Sequence, residues 1–295
     1  MEKNNLKISP APYIKKGLEV NKIMIDFIIA LIPAIFAGIY FYEIDAVKII
    51  VATILTSLIA EGIWNRYVKK TRFITDLSPI VLGILVALVM PTHVPLWIPI
   101  IGSVFASIVV KQFFGGLAQN FMNPAAATKA FLIASWAGVM AKPASDATTS
   151  ASATEVVVPL MDKIIGQATG NIGEVSILAL CIGGLYLALR GRISLRGPIA
   201  FIVSSMIMYS VFDKDLLLPG AFFLAAIFMT TDYGTTPMTK FGQYIFGAIA
   251  GVCASVIAVQ GFNPEGPYYA IIIMNLCTPL IDYLTTKKFK VKKEA

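Results

Sequence analysis

The stretch 76-DLSPIVLGILVALVMP-91 decides what kind of molecule this sequence describes. It opens on an acid-Leu-Ser-Pro start, runs through uncharged apolar residues and stops at Pro91. Proline is tolerated in a first helical turn, where its missing amide has no partner to lose, and it ends a helix further on. Ile80 to Met90 carries no polar side chain, so no face of such a helix is built to meet water. The run is also shorter than the roughly 20 residues that a bilayer crossing needs. It reads as a short helix inside a bundle, where protein rather than lipid surrounds the freed backbone groups.

Similar apolar runs lie on both sides of it. The chain has 295 residues, 57% hydrophobic and 14% charged, against about 25% charged in a soluble domain. Too few charges remain to cover a wetted surface, so the fold class is an all-α polytopic membrane protein. Ten spans are predicted, near 24–42, 45–63, 78–91, 94–110, 126–141, 174–189, 197–212, 216–231, 243–260 and 267–284. The division that follows is a cytoplasmic N-terminal segment 1–23, five helices over 24–141, an outer-face loop 142–173, five helices over 174–284 and a basic tail 285–295. Residues 1–23 are polar and basic, and the first apolar run is already a full span, which predicts no cleavable signal peptide.

Basic residues predict the orientation. Of 24 Lys and Arg, 20 fall in the tails and even-numbered loops, including Lys111 and Lys129; Lys48 lies inside a span, and Lys142, Lys163 and Lys214 fall in odd loops. The positive-inside rule then places both termini in the cytoplasm and the 142–173 loop outside. The net charge of +7 is accounted for in this way and calls for no nucleic-acid partner. Cys181, Cys253 and Cys277 sit in apolar runs without ligand spacing and read as small hydrophobes.

Two short echoes suggest an internal duplication. The motif 121-FMNP-124 introduces the fifth span as 261-GFNP-264 introduces the tenth, and 76-DLSP-79 is echoed by 232-DYGTTP-237. Five spans per copy give the copies opposite orientations, the inverted-repeat plan of many transport folds.

Ionisable groups inside apolar blocks are costly and so are functional candidates. Asp26, Glu61, Lys48 and Asp282 lie close enough to span ends to snorkel to water. Asp76 and Asp232 each stand beside a Ser/Thr-Pro turn at a helix end, where a carboxylate either caps amides or meets a cation. They are the ion-pathway candidates. Asn123 and Asn263 precede prolines and suit Asx turns that start helices. His93 stands alone and builds no metal site. No nucleotide loop, catalytic triad or paired-carboxylate constellation is present, so no catalytic residue and no metal site is assigned.

Five blocks together resemble the RnfD/NqrB membrane subunits of ion-pumping electron-transfer complexes. These are 8-SPAPY-12 with 24-MIDFIIALIPA-34, then 76-DLSPIVLGILVALVMP-91, 121-FMNPAAATKAFL-132, 229-MTTDYGTTPMTKFGQYIFG-247 and 263-NPEGPYYAIIIMNLCTPLID-282. They keep the family's order and spacing along nearly the whole chain, and the lack of a long N-terminal extension favours the RnfD type. The resemblance implies a subunit of a ferredoxin:NAD oxidoreductase coupling electron flow to Na⁺ or H⁺ export across a prokaryotic cell membrane. It also implies an inverted-repeat fold like that of urea and ammonium channels. Implied partners are the other Rnf-type subunits (the A-type and E-type membrane subunits, the G-type flavin subunit, and the B-type and C-type cluster subunits), membrane lipid, and a flavin transferase for maturation.

The family carries FMN joined through its phosphate to a threonine hydroxyl, in a motif resembling D-x-x-[ST]-G-A-T. The stretch 141-AKPASDATTSASATEVVVPL-160 stands in that place, on the predicted outer face. The register ending 152-SAT-154 keeps Ala-Thr and makes Thr154 the acceptor, with Thr148 where the motif has Asp. Counting from Asp146 makes Ser152 the acceptor instead, and in both registers Ser replaces the motif's Gly. The family's threonine linkage favours Thr154; Thr148 and Thr149 are the other hydroxyls in reach. Asn123 is the further cofactor-binding candidate, and whether a second, non-covalent flavin such as riboflavin sits between the halves stays open. Three alternatives stay open here: a stand-alone small-solute channel of the same fold, an NqrB-type subunit of a Na⁺-pumping NADH:quinone oxidoreductase, and a scaffold that only docks catalytic partners.

Overall fold

The computed structural model describes residues 20–141, 164–166, 170–214, 218–261 and 263–286. Among these residues the structure is helical, with no strand. The first element, α1, covers Val20–Tyr67 and is interrupted at Glu43, whose φ of 51° and ψ of −130° are not helical. An unbroken helix of 48 residues would reach about 72 Å, more than twice the thickness of a bilayer core. The chain instead turns back at Glu43. Near one end, Asn21 accepts a hydrogen bond from the Leu77 amide at 3.3 Å. Near the other, Gly62 lies so close to the Phe73 ring that a Cβ there would sit 2.2 Å from it. Phe73 and Leu77 are four residues apart, so Asn21 and Gly62 stand at the same end, and α1 is a hairpin of two arms.

The other elements are α2 (Ser78–Leu88), α3 (Trp97–Val104), α4 (Pro124–Ser135), α5 (Ala137–Met140), α6 (Ile177–Leu189), α7 (Arg196–Val211), α8 (Gly220–Leu224), α9 (Lys240–Val259) and α10 (Gly266–Thr285). Both α3 and α8 run on as π-helix, over Phe105–Gln112 and Ala225–Met229. Three helices, α1, α9 and α10, are long and apolar enough to cross a membrane by themselves. The predicted 126–141 span is two pieces, because Trp136 leaves helical geometry at φ −135°, ψ 50°. Start signals act locally as the sequence suggests. Asn123 caps α4, Ser176 caps α6 and Thr239 caps α9, each through its side-chain oxygen.

The core runs through α1, α2, α8 and the inner faces of α4, α9 and α10, and includes Leu31, Leu88, Leu132, Phe222, Phe246 and Tyr268, all fully buried. Residues 171–176 are non-helical and, apart from the half-buried Glu174, wedged inside it. The Ile172 and Gly173 amides donate to the Met90 and Leu88 carbonyls at 3.0 and 2.8 Å, satisfying groups that the end of α2 leaves open.

Candidate functional site

Helices α4 and α10 run antiparallel through the centre, and a polar cluster sits at each end of their contact. At the first end the Asn123 side chain accepts from the Ala125 and Ala126 amides, both at 3.1 Å. Its own amide nitrogen donates to Asn275 Oδ1 at 2.8 Å, on α10. Its Nδ2 donates to Asp232 Oδ2 at 3.3 Å. Asp232 also accepts from Asn120 Nδ2, the Gly234 amide and Thr235 Oγ1. These donors are all neutral, and burial pushes Asp232 above the usual carboxylate range.

Asp232 lines two cavities. One, of about 270 Å³, is walled mainly by apolar residues such as Met24, Phe27, Leu82 and Phe228, with Ser78, Lys111, Asn120 and Asn123 as its polar edge. Phe27 and Tyr233 meet edge to face in its wall, centroids 6.0 Å apart. The other, of about 370 Å³, is more polar and includes Arg192, Ser194, Thr230, Thr236 and Gln243. Beside the first cavity a buried pair joins α1 to the π-helix: Lys111 Nζ lies 2.6 Å from Glu61 Oε2 and donates to Ser78 Oγ at 2.5 Å.

At the opposite end, by the Glu43 turn, Lys129 reaches from α4 to Glu265, 2.9 Å away, just before α10. The same ammonium donates to Asn171 Oδ1 at 2.8 Å. Asn171 Nδ2 donates to Glu174 Oε1 at 2.6 Å, and the Tyr268 hydroxyl donates to the same carboxylate. Tyr42, next to the turn, donates to the Gly170 carbonyl at 2.8 Å. Lys129 is 1% exposed, so one buried cation ties both helices to the 170–174 segment. Among the described residues no cluster of three His, Cys, Asp or Glu suits a metal ion.

These helices and clusters sit on a chain whose relatives are clear. The sequence model of the NQR2, RnfD, RnfE family matches residues 7–290. The chain belongs to this family. Its similar relatives within the family include the D subunit of the Na⁺-translocating ferredoxin:NAD⁺ oxidoreductase complex of Acetobacterium woodii, 37% identical, covering 100% of this chain and 99% of the relative. The D subunit of the proton-translocating ferredoxin:NAD⁺ oxidoreductase complex of Clostridium ljungdahlii is 31% identical over 97% of this chain and 96% of its own. The B subunit of a Na⁺-translocating NADH-quinone reductase of Neisseria meningitidis is 32% identical, over 86% of this chain and 68% of the relative.

For this family member the structure brings together Asn123 and Asp232 but leaves Asp76 bonded within its own turn. There Asp76 accepts from the Ser78 amide at 2.8 Å and from Thr75 Oγ1 at 3.1 Å. Burial pushes that carboxyl up, but the bonds from Ser78 outweigh it and hold Asp76 below the usual range. Asn263 makes the expected Asx turn, accepting from the Glu265 amide at 3.0 Å. Thr154, Ser152, Thr148 and Thr149 lie outside the described residues.

Four expectations need correction. Glu61 does not snorkel: it is 3% exposed, held inside by Lys111. Asp26 is 2% exposed and pairs with Arg192 at 2.6 Å and Arg190 at 3.1 Å. Lys111 and Lys129 are not loop charges but buried partners within helical segments. The charge asymmetry therefore rests on the tails and on the clusters at Arg66–Arg72 and Arg190–Arg196. The sequence does carry a signal for Lys129: a lysine inside 124-PAAATKAFLIAS-135 needs an acidic partner when no water is near.

Proposed function

We propose that this chain is the membrane redox subunit of an ion-translocating ferredoxin:NAD oxidoreductase complex, working beside the other Rnf-type subunits in a prokaryotic cell membrane. The observation that carries this reading is the family match along 7–290, joined to two ferredoxin:NAD⁺ oxidoreductase D subunits that align over essentially the whole chain. Ten crossings in two inverted halves, with both termini cytoplasmic, complete the architecture. The antiparallel α4–α10 pair, each helix opened by an Asn-Pro turn, supports it.

FMN joins the chain through Thr154, with Ser152 as the alternative acceptor, after the action of a flavin transferase. A second, non-covalent flavin suits the cavity beside Asn123. Its volume of about 270 Å³ is close to the lower bound of small-molecule sites, roughly 300 Å³. Its apolar walls with one polar edge suit a flat ring that hydrogen-bonds along one side. The flavins supply one- and two-electron chemistry that no side chain of this protein offers. The chain's own residues bind and orient. Phe27 and Tyr233 would wall such a ring and Asn120 and Asn123 would offer it polar contacts, while Asp232 and Asp76 would attract the cation at the cytoplasmic side.

Denaturing electrophoresis of the purified complex under ultraviolet light tests the redox reading. Flavin fluorescence is expected to stay with this subunit and to vanish in Thr154→Ala. Mass spectrometry of the peptide containing residues 143–163 is expected to show an FMN adduct less water on Thr154. A band without flavin, or full electron transfer in a variant that has lost its covalent flavin, overturns it.

A further inference from the structure

Lys111 meets the apolar cavity with its hydrogen bonding incomplete. An ammonium carries three N–H donors and accepts nothing. Lys111 Nζ gives one to Glu61 Oε2 at 2.6 Å and one to Ser78 Oγ at 2.5 Å, its two acceptors among the described residues. Lys111 and Ser78 both line the cavity, which puts the ammonium at its wall. Glu61 is not part of that lining and stands behind the ammonium. Lys111 and Asp232 are the charged residues of the lining. The Asp232 oxygens already receive four donors, from Asn120, Asn123, Gly234 and Thr235. Lys111 is the charged lining residue with a hydrogen still to place.

Holding helices together does not by itself account for this pair. The side chains of Lys111 and Glu61 are both 4% exposed. Well-packed apolar residues in place of a buried ion pair are often neutral or stabilising, so the pair calls for another reason. Ionisable groups within a membrane bundle face cavities and mark what those cavities hold or pass. Here the surrounding wall is apolar, with Val81, Leu82 and Leu85 among its residues. A charge in such surroundings is weakly screened and acts strongly on whatever lies beside it. Together Lys111 and Glu61 are neutral, yet the positive member is the one at the cavity.

We propose that Lys111 binds the acceptor edge of the flat ring in this cavity and sets how readily that ring takes an electron. The inference rests on the reading of the cavity as a second flavin site. A flavin ring is uncharged when oxidised and carries carbonyl oxygens along one edge, which suits a single charged donor in an apolar wall. One electron from the ferredoxin-linked donor oxidises that donor by one and adds one negative charge to the cavity. Lys111 meets the charge with its spare N–H; no N–H bond breaks and no proton moves. Hydrogen bonds between ionised groups are roughly twice as strong as neutral ones, so the bond tightens as its acceptor gains charge. Glu61 repels the same charge from behind the ammonium. The two members of the pair therefore act with opposite signs, Lys111 favouring the added electron and Glu61 opposing it.

The test uses the whole purified complex. Denaturation releases the flavin that is not covalently held, and redox titration before and after that flavin is washed out gives its midpoint potential by difference. Lys111→Met/Glu61→Leu is expected to lower this potential by about 60–120 mV for a one-electron step, the roughly tenfold to hundredfold loss of a charged hydrogen bond. Riboflavin added back to the washed variant is expected to bind more weakly than to the washed parent. Glu61→Gln keeps the ammonium and removes the opposing charge, so its potential is expected to rise. A pair that only holds helices together moves neither potential. Should the double variant fail to assemble or to hold flavin, Glu61→Gln, close in shape to the parent, decides by the sign of its shift. Variants at the parental potential, or shifted the same way, overturn the role of Lys111. A parent complex whose denatured D-type subunit and supernatant yield no releasable flavin refutes the second-flavin reading itself.

Discussion

Two helix seams in this protein use the same small hydroxylated residues to opposite ends. Where α7 meets α9, the backbones touch. A Cβ on Gly247 would lie 2.3 Å from the Gly197 carbonyl oxygen, and one on Gly251 would lie 2.3 Å from that of Phe201. The hydroxyls there are tied down: Ser205 donates to the Gly251 carbonyl at 3.2 Å, and Ser255 donates to the same carbonyl at 2.9 Å. This is the small-residue glue of membrane helices, in which close approach and interhelical hydrogen bonds replace the hydrophobic effect. Where α1 meets α3, Ser57 and Ser107 are equally buried but take no partner among the described residues, and a lysine–glutamate pair stands below them. One seam is closed by its serines, and the other is held by the ion pair beside them. The lesson is that residue type alone does not tell which hydroxyls hold helices together; the destination of each hydroxyl does.

Breaking the ion pair is expected to give the largest effect. Lys111→Met leaves Glu61 buried without a partner, a loss of about 3–5 kcal/mol. It should show as a large drop in the thermal midpoint of the purified complex. Glu61→Leu added to Lys111→Met is expected to restore most of it, since a well-packed apolar pair often matches a buried ionic one. If the single variant melts like the parent, the α1–α3 seam is not held by this pair. Closing the gap at the other seam is expected to cost less. Gly251→Ala forces a methyl against the Phe201 carbonyl and against Ser204 Oγ, 2.1 Å away, for about 1–3 kcal/mol of overpacking. The same measurement reads it, and an unchanged midpoint shows that the α7–α9 seam is looser than its geometry states.

The smallest effect concerns the two aspartates. Asp232 has its pKa raised in the folded chain, so its contribution to stability is full below the ordinary carboxylate pKa and is lost as pH rises through the raised value. Asp76 is lowered, so its contribution is present above the ordinary pKa and is lost as pH falls through the depressed value. Melting curves against pH should therefore change in opposite directions. Asp232→Asn removes the loss on the alkaline side, and Asp76→Asn removes the loss on the acid side. Curves that change in the same direction would put both carboxylates in one kind of environment.

Much of the helical plan is legible in the sequence because its signals are local. The polar break 42-YEID-45 marks the α1 turn, and the Asn-Pro dipeptides mark the starts of α4 and α10. Asn123 and Asp232 can each be singled out, since an amide before proline and an acid at a helix end are visible one at a time. Their meeting cannot, because 109 residues separate them and only the packing of α4 under the α8–α9 turn joins them. For the same reason Glu61 reads as free to reach water: its cation lies 50 residues on, at the end of a π-helix that no periodicity announces. Lys129 can be seen in the sequence to need an acidic partner, but nothing there says that the partner is Glu265, across the bundle.

The turn at Glu43 has one more consequence, for how the protein is made. Residues 20–67 carry their own reversal, and both ends of the hairpin finish on one side, tied there by the Asn21–Leu77 bond. A stretch that reverses on itself can enter an apolar phase as a finished pair, each arm covering one flank of the other. Everything synthesised later has a wall to assemble against.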